Sequence, residues 1–89
     1  MTDERRDKVR VRLYTRPGCH LCDEARGEML AADVTQLFSL EEIDIDSDPE
    51  LARRFGWDIP VVFIGETVAF KHRLTRDDFR REIQHALSS

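Results

Sequence analysis

The chain has only two cysteines in 89 residues, and both lie within one tetrapeptide. So few thiols argue against a framework of disulfide staples. They also argue against structural zinc, which wants four protein ligands: there is no second Cys-x-x-Cys and no closely spaced histidine pair, since His20, His72 and His85 are scattered. No apolar run is long enough to cross a bilayer, so no membrane partner is expected. Residues 1–8, Met1-Thr2-Asp3-Glu4-Arg5-Arg6-Asp7-Lys8, lack the apolar core of a signal peptide, and the expected location is the cytoplasm. An excess of basic charge is missing as well. Against 18 acidic residues stand 14 Lys and Arg, leaving a net charge of -4 that does not suit a broad nucleic-acid surface. Internal repeats and low-complexity segments are absent.

What remains is the composition of an ordinary globular protein, 40% hydrophobic and 36% charged, with a length that bounds it to one small core. Residues 1–8 read as a charged, poorly ordered lead-in and 9–88 as a single domain. In a reducing compartment, two cysteines are more often catalytic or metal-binding than structural.

Both cysteines stand in Thr15-Arg16-Pro17-Gly18-Cys19-His20-Leu21-Cys22, after a strand-like run and before a helix-like one. Cysteines separated by two residues at the first turn of a helix come close enough for a disulfide, which needs Cα atoms within roughly 7 Å. Unpaired N–H groups and the positive end of the helix dipole favour a thiolate at the outer position, lowering that thiol below its free value of about 8.5. Cys19 is therefore assigned as the nucleophile. Cys22, one turn inside, is the resolving thiol. Arg16 adds fixed positive charge, and His20 either adds a second when protonated or simply occupies the exposed surface between the cysteines. Two buried, inert cysteines are the bland alternative.

Val9-Arg10-Val11-Arg12-Leu13-Tyr14-Thr15 alternates with the period of a strand. Its arginines leave two readings open: stems packed with heads in water near an open end of the sheet, or a second face that is thinly covered. A helix is predicted from about Cys19 to Ala32, with Leu21, Ala25 and Met29 inward and Cys22 and Leu30 beside them. Asp23 and Glu24 suit its first turn but compete with a thiolate for the same positive field. A second strand spans 38–45, with Ile43 and Ile45 inward. Asp48-Pro49 starts a short helix that Gly56 closes, stacking Leu51 on Phe55. Trp57 is expected as a partly buried packing residue. Pro60 opens the apolar run Val61-Val62-Phe63-Ile64 as the first residue of a buried strand. Gly65-Glu66 turns the chain into Thr67-Val68-Ala69-Phe70. Thr75 caps a last helix that turns Phe79, Ile83 and Leu87 inward.

With the order strand, helix, strand, helix, strand, strand, helix, the chain resembles the glutaredoxin branch of the thioredoxin-fold family from Val9 to Leu87. Tyr14-Thr15-Arg16-Pro17-Gly18-Cys19-His20-Leu21-Cys22 is similar to that family's Tyr-[Ser/Thr]-Lys-Pro-x-Cys-x-x-Cys, and Asp58-Ile59-Pro60-Val61-Val62-Phe63-Ile64 to its Thr-Val-Pro-x-Val-Phe-Ile. The resemblance implies an α/β thioredoxin fold, β1-α1-β2-α2-β3-β4-α3, with a four-stranded mixed sheet flanked by three helices. It implies a thiol-disulfide oxidoreductase with Cys19 attacking and Cys22 resolving. Pro60 takes the place of the family's cis-proline, leaving the backbone of Ile59 free to pair with an extended substrate segment. Arg16 takes that of the basic residue facing the glutathione glycine carboxylate. The expected partners are disulfide-containing proteins or thiols, with a reductase or glutathione as electron donor. No prosthetic group is required, no metal ligand is assigned, and a monomer is expected.

One segment departs from that pattern. Glutathione-using members carry Gly-Gly, a short polar residue and Asp where this chain reads Phe70-Lys71-His72-Arg73-Leu74, so the acidic clamp for the γ-glutamyl end is absent. The run Lys71-His72-Arg73 is either a solvated loop or a substrate contact. Two other functions stay open: an iron-sulfur carrier, in which a dimer ligates a cluster through Cys19 and added thiols, and a redox-silent module binding an extended peptide in the Pro60 groove.

Overall fold

The alternation in Val9–Thr15 does what a two-residue period demands: Val11 and Leu13 are buried on one face and Tyr14 on the other. In the computed structural model, which describes residues 8–88, this strand (β1) is interior to a four-stranded sheet. It runs parallel to β2 (Phe38–Asp44) and antiparallel to β3 (Val61–Ile64). Strand β4 (Thr67–Lys71) pairs antiparallel with β3, giving the order β2-β1-β3-β4. Helices α1 (His20–Leu30), α2 (Pro49–Phe55) and α3 (Arg76–Ser88) complete the expected element order, so the fold is the α/β thioredoxin fold. A 3-10 turn, Ile45–Ser47, leads from β2 toward α2. All but Lys8 of the expected lead-in lies outside the described residues.

The larger core sits under α1 and α3. Val11 and Leu13 of β1, Val62 of β3, Met29 of α1, and Phe79 and Ile83 of α3 pack there, with Phe38 and Phe79 edge to face at 5.0 Å. The opposite face is covered only near the C-terminal end of β1, where Tyr14, Ile45, Phe55, Val61 and Phe63 cluster. Farther along, Arg12 takes the place of a covering element. Its guanidinium lies 4.8 Å from the Phe63 ring centroid, donates to the Tyr14 hydroxyl at 3.2 Å and to the Gly65 carbonyl at 3.3 Å, and is half-buried. Both readings of the β1 arginines therefore hold in part: the face is thinly covered, and Arg12 packs its stem there, while Arg10 is exposed.

Several boundaries and orientations differ from expectation. Helix α1 begins at His20, with Cys19 as its cap, and stops at Leu30. Its buried stripe is Cys22, Ala25 and Met29; Leu21 is half-buried, and Leu30, 54% exposed, turns one residue step away from that stripe. Ile45 is fully buried, but in the 3-10 turn after β2. Leu87 is 41% exposed because the core of α3 ends with Ile83. The caps of the other helices match: Asp48 accepts from Glu50 N–H at 2.9 Å, and Thr75 accepts from Asp78 N–H at 3.2 Å.

Candidate functional site

The sheet register gathers the two expected motifs. Tyr14 of β1 pairs with Val61 of β3 and Thr15 with Asp44 of β2, so the exit of β1, the exit of β2 and the entry to β3 share one end of the sheet. The turn after Thr15 therefore lies beside the segment that ends in Pro60. Gly18 makes that turn at a φ of +82°, where a side chain is disfavoured, and Cys19 N–H donates to the Arg16 carbonyl at 3.2 Å.

Cys19 and Cys22 form a disulfide with Cα atoms 5.2 Å apart, inside the range that such a bond needs. Their environments differ. Cys22 is completely buried in α1, whereas Cys19 is partly exposed at the cap, with its sulfur accepting from Cys22 N–H at 3.2 Å. That N–H is one of the unpaired donors of the helix amino terminus, aimed at the sulfur on which negative charge is to be favoured.

The acidic first turn does less to oppose that field than its composition suggests. Arg26 holds Asp23 at 2.8 Å and Glu42 of β2 at 2.6 Å, and the two carboxylates raise its guanidinium above the ordinary arginine range, Glu42 most. Glu24 is an exposed carboxylate with no ion pair among the described residues. His20 is exposed and has no side-chain partner among the described residues, which fits the reading of it as surface between the cysteines.

The Ile59–Pro60 peptide bond is cis, as the resemblance implied, and Pro60 is fully buried. Two expectations around it need correction. The backbone of Ile59 is only half free, because its N–H donates to the Phe55 carbonyl at 3.2 Å, closing the end of α2; its own carbonyl has no partner among the described residues. Arg16 is not a free cation awaiting a carboxylate. Its Nε already donates to Asp46 at 3.0 and 3.2 Å.

Asp46 went unnoticed in the sequence because 30 positions separate it from Arg16. So did Asp58, which gathers part of the basic run: Lys71 Nζ lies 3.6 Å and His72 Nε2 3.9 Å from its carboxylate. His72 N–H donates to the Pro60 carbonyl at 2.9 Å, tying the exit of β4 to the cis bond. Trp57 is also misread by sequence. It is 93% exposed, in the loop between α2 and Pro60. The one available signal was its position directly after the helix-stopping Gly56. Among the described residues, no three His, Cys, Asp or Glu side chains gather as a metal-ion site, and no helix is long and apolar enough to cross a membrane.

A family model described as the glutaredoxin-like domain (DUF836) matches residues 10–84. The chain belongs to the glutaredoxin-like family. A curated glutaredoxin-like protein of Dictyostelium discoideum is 35% identical over 86 residues, spanning 89% of this glutaredoxin-like chain and 79% of the relative. Solved structures agree on the fold. A structural-genomics target from X. campestris superposes with a TM-score of 0.73 at 24% identity, covering 84% of this chain and 96% of that one. Thioredoxin-2 of a malaria parasite gives 0.64 at 21% identity, covering 88% and 82%. For a glutaredoxin-like protein, a Cys-x-x-Cys pair joined as a disulfide beside a cis-proline suggests redox work on thiols.

Proposed function

We propose that this protein is a thiol-disulfide oxidoreductase that cycles through Cys19 and Cys22, acting on protein or small-molecule disulfides. The Cys19 thiolate attacks one sulfur of a substrate disulfide; the other leaves as a thiolate and takes up a proton, and Cys19 is left in a mixed disulfide. Cys22, having lost its proton, then attacks Cys19, releases the second substrate thiol and leaves the Cys19–Cys22 disulfide. Two electrons pass from the dithiol to the substrate. A reductase or glutathione returns them.

The observation that carries this reading is the asymmetry of the pair. One sulfur is partly exposed at a helix cap that donates a hydrogen bond to it, and its partner is sealed behind it. A nucleophile must reach substrate, while a resolving thiol need reach only the nucleophile. Such a cycle runs in a reducing compartment, and the cytoplasm is the location taken here. Coupling to glutathione is expected to be weak, since the acidic clamp is missing and Arg16 is engaged by Asp46. Of the three expected substrate-binding residues, Arg16 then faces substrate as an ion-paired wall and Ile59 through its carbonyl, while the buried Pro60 acts by fixing the backbone of Ile59.

The test is disulfide reduction by three proteins. Cys19→Ser abolishes turnover, whereas Cys22→Ser retains a single-thiol reaction through a mixed disulfide. A Cys19→Ser protein that reduces disulfides at the parent rate refutes the reading. Recharging the oxidised protein with glutathione alone, against a thioredoxin reductase system, decides the donor.

A further inference from the structure

Among the described residues, no other large apolar side chain approaches the exposure of Trp57: 93%, against 54% for Leu30 and 41% for Val68 and Leu87. A Trp that packs on nothing contributes nothing to the core, so its place on the surface calls for another account. That place is beside Arg16, three residues before Cys19. Trp57 stands in the loop that leads to Ile59–Pro60, and with Arg16, Ala52 and Gly56 it walls a notch of about 270 Å³, roomy enough for a side chain. The carbonyl of Arg16 in turn accepts the N–H of Cys19.

Two features give the notch its chemistry. Gly56 keeps its floor open, since a Cβ there would lie 2.5 Å from the Ala52 carbonyl oxygen and 3.9 Å from the Arg16 guanidinium. Asp46 meets the charge of Arg16, so that wall presents a paired cation rather than a free one. The notch therefore suits a neutral, apolar side chain better than a carboxylate. Beyond Trp57, the Ile59 carbonyl has no partner among the described residues and is left to accept one backbone N–H.

We propose that Trp57 is the docking residue for a polypeptide substrate, its indole and the notch beside it receiving an apolar side chain that flanks the substrate cysteine. This rests on the dithiol reading above and names the substrate class for that site: protein disulfides with apolar flanks, in preference to small anionic thiols. A small disulfide brings sulfur to Cys19; a polypeptide also brings the side chain and the backbone N–H.

The experiment uses the full chain and three probes: a disulfide-linked peptide dimer with leucine beside each cysteine, the same peptide with glutamate there, and bis(2-hydroxyethyl) disulfide. Changing Trp57 to Ser lowers the ratio of kcat/KM on the leucine peptide to that on the small disulfide about tenfold, the scale of losing one aromatic anchor, and erases the preference for leucine over glutamate. Because Trp57 is the only tryptophan, its emission also shifts to shorter wavelength when Cys22→Ser protein is trapped as a mixed disulfide with the leucine peptide. An unchanged ratio together with unshifted emission overturns the docking role while leaving the dithiol reading intact. If the parent reduces none of the three probes, the dithiol reading fails, and the docking role with it.

Discussion

The backbone N–H of Cys22 points at the sulfur of Cys19, 3.2 Å away, so the buried residue of the pair stabilises the exposed one through its main chain before its side chain reacts at all. Chemical modification reads this division directly. After reduction of the disulfide, a limiting amount of iodoacetamide labels Cys19 and spares Cys22, whose residue surface is fully buried. Peptide mass spectrometry measures the two sites separately, and equal labelling would contradict the assignment of nucleophile and resolving thiol.

A second relationship ties the helices of the larger core. Glu28 of α1 accepts from the Arg76 backbone N–H at 2.8 Å and from its guanidinium at 3.0 and 3.2 Å, at the first residue of α3. The Arg76 side chain, then its backbone N–H, holds the Glu28 carboxyl below the usual range. A carboxyl lowered in the folded state favours folding above its unfolded value of about 4.3 and loses that contribution as pH falls through its folded value. Glu28→Gln is therefore less stable than the parent at pH 7 in urea titrations, and the gap closes only in acid below the ordinary Glu range. Added salt also narrows it, because the pair is open to solvent.

Two glycines without steric neighbours respond in opposite directions to the same change. At Gly18 a Cβ meets nothing within 4 Å, but the φ of +82° is one that side chains resist, so Gly18→Ala costs about 1–2 kcal/mol. At Gly27, inside α1, a Cβ likewise meets nothing and the backbone is helical, so Gly27→Ala gains about 1 kcal/mol. Chemical denaturation gives both signs. Gly18→Ala also slows disulfide reduction, because the strained turn carries Cys19.

Much of the site was legible from short-range spacing. Cys19 and Cys22 are three positions apart and enter one helical turn, so their pairing needs little beyond that helix. Asp48 before Pro49, and Thr75 before Arg76, mark helix starts because a cap bonds within its own turn. Within the helices, sequence misled at stripe ends: Leu30 and Leu87 carry the right residue type, but Leu30 turns off the buried stripe of α1 and the core of α3 ends at Ile83.

The order of elements, the caps, the dithiol and the proline before β3 were thus decided by the sequence alone, because each depends on neighbours within a single turn or strand. Tertiary structure alone decided that Arg16 is engaged by Asp46, that Asp58 gathers Lys71 and His72, and that Trp57 stands in water beside Arg16. Such outcomes rest on which distant group arrives opposite a side chain, and local periodicity carries no information about who that neighbour is.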